Sequence, residues 1–172
     1  ARAVLFHVNS PGGTVSGCIE AAEFIANLGI PTAVFTKVVA CSAAYKLSAG
    51  AAVIVASKSA TIGNIGTIMN WADLTEFWDQ MGVTFKALVS EGADLKSTFH
   101  LEPNETQVAF LQESVNEGGA AFRSHVSRYR PQVKDEVWRA GWYDGDHALS
   151  LGLSDVMGTE QDAVNALLEM IG

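Results

Sequence analysis

The sequence predicts an α/β fold in which repeated βαβ units build a mostly parallel sheet flanked by helices. Residues 3–8 are an apolar run without helical period, and residues 32–39 are rich in Val, Phe and Thr, so both runs are predicted strands. A strand, a helix and a second strand joined by short loops pair in parallel through a right-handed crossover. The helix between these two strands is indicated by apolar residues at helical spacing, namely Val15, Cys18, Ala22 and Ile25.

The same order of elements repeats in the next segment. Thr14 or Ser16 is expected to cap the first helix. Residues 40–50 are alanine-rich and favour a second helix, and residues 52–56 are predicted to form a short buried strand. Residues 62–69 form a further apolar stretch that contains two glycines.

Four more helices are predicted in the remainder of the chain, one of them a short helix within the loop at residues 141–153. Asn70 can cap a helix with one apolar face, after which residues 85–89 return as a strand. A long helix is predicted over residues 105–129, although two adjacent glycines weaken its middle. Thr159 caps the last helix. The apolar face after Asn70 consists of Trp71, Leu74, Phe77, Trp78 and Met81, and that of the last helix of Ala163, Leu167 and Ile171.

Composition limits the classes of function. The 172 residues, of which 48% are apolar, suit one domain with an ordinary core. A net charge of −8 without a basic run disfavours nucleic acid or an anionic membrane as the main partner. Cys18 and Cys41 are expected to be small core residues. The longest apolar stretch, residues 47–56, is too short to cross a bilayer. We expect no metal or cofactor.

Two loops carry the candidate chemistry. Ligands of an open parallel sheet bind beyond the carboxyl ends of the strands, so the loops at residues 9–13 and 40–43 should face one crevice. The glycines of the first loop offer N–H groups that can approach a bound oxygen without a Cβ in the way. The second loop places Ser42 where a strand gives way to a helix. As a nucleophile, its hydroxyl needs a base and amides that hold the developing oxyanion. Taken alone, the loops also fit a plain turn and a helix-capping serine.

Ordered motifs resemble those of the signal peptide peptidase A family, which includes phage head-maturation (prohead) proteases. The resemblance covers most of the chain, and it implies a Clp protease/crotonase-like fold, a Ser/Lys dyad, and one peptidase domain over residues 1–172 that lacks its N-terminal strands. The motifs are, in order, residues 8–13 (VNSPGG), 40–45 (ACSAAY), 62–67 (IGNIGT), 91–96 (EGADLK), 141–145 (GWYDG) and 148–155.

The resemblance also implies roles for individual residues. Ser42 would be the nucleophile and Lys96, 54 residues later (96 minus 42), the general base. A lysine acts in this way only where burial beside apolar groups lets it lose its proton near neutral pH. Asn64 would orient that lysine or stabilise a turn. The oxyanion hole would be formed by the amide of Gly12 or Gly13 together with that of Ala43.

The motifs also differ from the family pattern at three places. Ala43 and Ala44 stand where many bacterial relatives have two glycines, and Asn64 stands where they have Ser, which is closer to phage-encoded members. Three residues separate Gly92 from Lys96 where two are expected. Lys86, on a predicted strand, is a poorer candidate for the base.

A Ser/His/Asp triad and a metal site are both less well supported. No histidine stands about 25 residues after Ser42, where a Clp-type triad would have it, because that position is Thr67. No His/Glu spacing typical of a metal site occurs either. We therefore expect structural or surface roles for the four histidines, which are His7, His100, His125 and His147.

The function implied is a serine endopeptidase that cleaves unfolded or flexible protein segments through an acyl-enzyme. A phage-encoded enzyme would process capsid or scaffold proteins inside a procapsid in the host cytoplasm, and a cellular one would be membrane-associated and trim signal peptides. Relatives form ring-like or dome-like assemblies, so a homo-oligomer is expected. Two alternatives use the same fold, namely a crotonase-like acyl-CoA enzyme and a catalytically silent capsid assembly component.

Overall fold

The chain divides into two compact units. The computed structural model describes residues 1–97 and 101–172. The first unit comprises Ala1–Thr67 and Gly118–Gly172, and the second comprises Ile68–Glu117.

The strands of the described residues form two sheets within the first unit. The larger sheet has the order β1-β2-β4-β7 with every neighbouring pair parallel, and the smaller sheet has the order β3-β5-β6. The predicted α/β architecture with a mostly parallel sheet is confirmed. The strands are β1 (Val4–His7), β2 (Thr32–Thr36), β3 (Val39–Cys41), β4 (Val53–Ala56), β5 (Thr61–Gly63), β6 (Trp142–Tyr143) and β7 (Val156–Met157).

Helices flank the larger sheet. One face, with Ala33, Phe35 and Val55, packs against the last helix, and the other face, with Val34 and Ile54, packs against the main core cluster. Alternate residues of a strand point to opposite faces, which explains this division. The helices are α1 (Cys18–Ala26), α2 (Ala43–Ala49), α3 (Thr75–Gln80), α4 (Glu105–Tyr129), α5 (Gly145–Ser150) and α6 (Glu160–Ile171), with a 3₁₀-helix at Asp135–Arg139.

The predicted strand over residues 32–39 is in fact two strands. The chain leaves the larger sheet after Thr36 and joins the smaller one at Val39. This change brings β3 alongside the first glycine loop, because Ser10 N–H donates to Val39 O at 2.9 Å and Cys41 N–H donates to Ser10 O at 3.1 Å. The two candidate loops therefore meet, as the parallel-sheet argument predicts.

Two helix predictions are confirmed in detail. Helix α4 spans the predicted residues and is continuous through its glycines. A Cβ on Gly118 would lie 3.2 Å from the Thr67 side chain, so this glycine permits close packing. Helix α6 begins after Thr159, whose N–H and hydroxyl both donate to Asp162 in a capping box.

Other boundary predictions were wrong. Helix α1 begins at Cys18 behind a left-handed Gly17, and its cap makes no side-chain hydrogen bond, so neither Thr14 nor Ser16 caps it. Helix α3 begins at Thr75 rather than after Asn70, and none of its residues is buried. Residues 85–89 form no strand. The segment belongs to neither of the two sheets.

Candidate active site

Ser42 lies at a strained turn between β3 and α2. Its backbone has φ 53° and ψ −126°, a conformation that costs a non-glycine residue on the order of 1–3 kcal/mol. Two backbone hydrogen bonds hold the turn: Ser42 N–H donates to Gly63 O at 2.8 Å, and Lys46 N–H donates to Ser42 O at 3.0 Å. Short strands on one side and a small-residue helix on the other therefore present a half-buried hydroxyl at the end of a sheet.

Gly12 packs directly against Ser42. A Cβ on Gly12 would lie 2.6 Å from Ser42 Cβ and 3.1 Å from Ser42 Oγ. The glycine also has φ 119°, which side chains rarely adopt. Only glycine therefore fits here without moving the serine.

The backbone N–H groups of the two glycines in the first loop, Gly12 and Gly13, differ in their hydrogen bonding. Gly12 N–H donates to Ser10 Oγ at 3.2 Å. Gly13 N–H has no acceptor among the residues that the structure describes. Ala43 is the first residue of α2, where the helix itself offers its N–H no acceptor. The amides of Gly13 and Ala43 are thus available to an oxygen outside the chain.

A small pocket opens beside Ser42. Its volume is about 30 Å³, and its lining includes Gly13, Ser42, Lys46 and Phe122. Lys46 is only 5% exposed, and its Nζ lies 5.4 Å from the centre of the Phe122 ring. Our sequence analysis missed Lys46. The available signal was a lone charged residue within an alanine-rich helix, four positions after the candidate nucleophile.

Titratable groups around this pocket respond to burial and to Lys46. Burial raises the pKa of the Cys18 thiol, an effect that the Lys46 charge partly opposes. Burial lowers the pKa of His125, and the Lys46 charge lowers it further. Burial also raises the pKa of Cys41. Uncharged forms of all three side chains are therefore favoured at neutral pH, and both cysteines are free and buried, as predicted.

Asn64 follows Gly63, the residue whose carbonyl accepts from Ser42. It has φ 53°, and its N–H donates to Gly141 O at 2.7 Å, whereas its side chain is exposed. The structure therefore brings Gly12, Gly13, Ala43 and Asn64 into the neighbourhood of Ser42.

Lys96 belongs to the second unit. Its side chain is exposed, its N–H donates to Ala93 O at 3.0 Å, and its carbonyl accepts from Gln107 Nε2 at 3.2 Å. Lys86 lies in an irregular segment of the same unit. The roles given above to Ser42, Lys96, Asn64 and the amides stay predictions.

The histidines that the structure describes contact acidic or aromatic side chains. His7 Nε2 lies 3.3 Å from Glu160, and His147 Nε2 lies 3.7 Å from Glu136. His125 is buried and packs against the ring of Tyr129. His100 lies outside the described residues. Within residues 1–97 and 101–172, no cluster of three or more His, Cys, Asp or Glu side chains could hold a metal ion.

Most of the chain is similar to a known family of peptidases. A model of peptidase family S49 matches residues 26–171. The chain belongs to this family. The resemblance expected from the motifs is confirmed, and the S49 match includes Ser42 and Lys96, although the first glycine loop precedes it.

Curated relatives of this S49 chain include cellular and viral proteins. It is 33% identical over 174 residues to "Putative signal peptide peptidase SppA" of Enterococcus faecium, a match that covers 96% of this chain and 50% of the relative. It is 25% identical over 174 residues to "Capsid assembly protease C" of Escherichia phage lambda, covering 98% of this chain and 39% of the relative. The chain thus spans about half the length of such relatives, or less.

A solved structure supports the fold. The structure described as "1510-N membrane-bound stomatin-specific protease S97A mutant" matches with a TM-score of 0.61 and 14% identity, covering 99% of this chain and 69% of that one. The S49 chain therefore shares its fold. Of the helices in the described part of the chain, none combines the length and hydropathy needed to span a bilayer.

Proposed function

We propose that this S49 chain is a serine endopeptidase that works through a Ser/Lys dyad. Ser42 is the nucleophile, Lys96 is the general base, and the amides of Gly13 and Ala43 form the oxyanion hole. The observation that carries the proposal is the strained turn of Ser42 beside two amides that have no acceptor in the described residues. A hydroxyl beside unpaired amides is the arrangement that acyl transfer requires.

These proposed roles define the reaction. Ser42 Oγ attacks the scissile carbonyl carbon while Lys96 Nζ takes the hydroxyl proton, and the two amides hold the resulting oxyanion. The lysine then gives this proton to the leaving amine as the C–N bond breaks, which leaves an ester on Ser42. Water attacks the ester, its proton passes to the lysine and then to Ser42 Oγ, and the acid product departs. Each oxyanion donor supplies about 3–4 kcal/mol of transition-state stabilisation in enzymes of this kind.

The exposed position of Lys96 bears on the quaternary structure. A lysine accepts a proton near neutral pH only when it is desolvated or lies near another cation. Lys96 is exposed in the chain, so we propose that a neighbouring subunit covers it in a homo-oligomer. Support comes from the second unit, which exposes many large apolar side chains, including Ile68, Trp71, Phe77, Met81 and Leu88. Mass measurement in solution should find an oligomer.

The substrate class is a flexible or unfolded protein segment. Because relatives are described both as a capsid assembly protease and as a signal peptide peptidase, phage capsid or scaffold proteins and cleaved signal peptides are the two substrates to compare. Ala43 and Ala44 follow Ser42 as in phage-encoded members of the family, which favours capsid or scaffold proteins as the substrate. We propose Asn64 as a supporting residue of the dyad.

The test is labelling and cleavage by matched variants. The wild-type chain should form one adduct with a serine-directed phosphonate at Ser42 and should cleave a flexible protein substrate. Ser42→Ala should lose both activities, and Lys96→Met should lose at least about 100-fold in rate, because general-base catalysis contributes 10²–10⁴-fold. Lys58→Met is the control, because Lys58 is exposed and pairs with Asp146 at the surface.

Four outcomes would contradict the proposal. Cleavage retained by Ser42→Ala would remove the nucleophile, and full activity of Lys96→Met would remove the base. Wild-type protein that neither reacts nor cleaves would instead indicate an assembly component without catalysis. Binding of an acyl-CoA thioester without phosphonate labelling would favour a crotonase-like enzyme.

A further inference from the structure

The side chain of Lys46 is buried, and none of the described residues supplies it with a counter-charge. It lies one helical turn after Ser42 on α2 and lines the same small pocket. In the part of the chain that the structure describes, its Nζ has neither an ion-pair partner nor a hydrogen-bond acceptor, and the contact recorded for it is with the Phe122 ring. Lysine is rarely buried without a partner, so an unpaired buried lysine that borders a pocket points to a ligand of opposite charge.

Arg130 shows how the same unit treats a buried cation with a structural role. Arg130 is 4% exposed, and its guanidinium donates to both Asp155 oxygens, at 2.9 and 2.7 Å, as well as to the carbonyls of Ala49 and Ala51. Each of the three guanidinium nitrogens therefore has an acceptor. Lys46, buried to the same degree, has no such partner among residues 1–97 and 101–172, and it borders the pocket beside the candidate nucleophile.

The pocket has the size and chemistry for a carboxylate. A volume of about 30 Å³ holds roughly two water-sized groups. Phe122 and Val15 give it apolar walls, and Lys46 is the charged side chain of its lining. A short acidic side chain would fill this space and supply the missing counter-charge. A longer or aromatic side chain would require the walls to move.

We propose that this pocket receives the substrate side chain on the amino side of the scissile bond, and that Lys46 makes it select aspartate. This inference rests on the proposed function, because Ser42 and Gly13 border the same pocket and would hold the carbonyl of that substrate residue. Lys46 is then a specificity-determining residue rather than part of the proton transfer.

The net charge of the chain limits the preference for aspartate to the substrate residue that occupies the pocket. A net charge of −8 repels acidic peptides at long range, so only a contact in the pocket favours a carboxylate. The preference should therefore apply to the residue that occupies the pocket and not to its neighbours. It should also persist at high salt, since partly buried pairs are screened much less than exposed ones.

The experiment measures kcat/KM of the full chain, in its assembled state, on peptides that differ at one residue. Peptides with Asp at the amino side of the cleaved bond should exceed those with Asn by at least about tenfold, and Asp should exceed Glu and Leu. Lys46→Met should abolish the Asp/Asn ratio, and Lys46→Glu should turn the preference towards Lys. Lys58→Met, which removes an exposed lysine, should leave the ratio unchanged.

Several results would overturn the inference. Equal rates for Asp and Asn in the wild type would do so even if Lys46→Met failed to fold. Loss of phosphonate labelling and of all cleavage in a folded Lys46→Met protein would instead assign Lys46 to the proton transfer. If the wild type neither labels nor cleaves, the proposed function fails separately. Fluorescence anisotropy on Ser42→Ala, with labelled peptides that carry Asp or Asn, then decides: tighter binding of the Asp peptide supports the subsite, and equal binding overturns it.

Discussion

Replacing Gly12 by alanine tests whether the glycine loop positions the nucleophile. The added Cβ would lie 2.6 Å from Ser42 Cβ and 3.1 Å from both Ser42 Oγ and the Cys41 carbonyl. Contacts below 3.0 Å force a shift, and the first atom hit belongs to the serine itself. The backbone at φ 119° adds strain on the order of 1–3 kcal/mol. Displacement of a reacting atom by about 1 Å costs about 100-fold in rate.

We therefore expect Gly12→Ala to lower phosphonate labelling and peptide cleavage by at least about 100-fold while the protein stays folded. Gly119→Ala is the control, because a Cβ there meets nothing within 4 Å, its φ lies outside the left-handed region and the residue is not part of the proposed site. That variant should leave labelling and cleavage unchanged and raise the free energy of unfolding by up to about 1 kcal/mol, since it lies within helix α4. Stopped-flow labelling and urea denaturation give the two quantities. Equal effects of the two substitutions would refute the packing argument.

Two further predictions concern stability. Arg130→Met should lower the free energy of unfolding in urea by about 3 kcal/mol, because it leaves the partly buried Asp155 carboxylate without its ion-pair partner. Arg128→Met is the control: it removes an exposed ion pair with Glu23 and should cost less than about 1 kcal/mol. Because burial lowers the pKa of His125 below its usual 6.5, the unfolded chain binds a proton that the folded chain does not, so stability should fall as the pH drops below about 6.5. His125→Gln should lessen that fall, and an unchanged profile between pH 7 and 5 would contradict it.

The location of the serine turn follows from sequence because each part is local. Short apolar strands, a glycine loop and a small-residue helix are all visible within a few residues, and the carboxyl ends of parallel strands meet at one edge. The split of residues 32–39 into β2 and β3 is different. A run of β-formers specifies extended backbone but not which sheet pairs with each half, so the change of sheet after Thr36 required the structure.

The segment from Asn70 to residue 89 illustrates another limit. Its apolar spacing predicts a helix with one face that needs cover. In the structure Trp71, Phe77 and Met81 are exposed, and α3 is shorter than predicted. Hydrophobic patterning carries no information on whether the covering surface belongs to the same chain or to another.

The two lysines show why the chemistry of this site could not be read from motifs alone. Lys96 was found by its motif, but a motif says nothing about solvation, and this lysine is exposed in the chain. Lys46 has no motif, yet the fold buries it beside Ser42, where the described part of the chain supplies no counter-charge. A substrate aspartate that fills the pocket would pair with Lys46 before the reaction starts, so this contact is made in the ground state as well as in the transition state. A peptide with Asp at this position should therefore gain more through a lower KM than through a higher kcat.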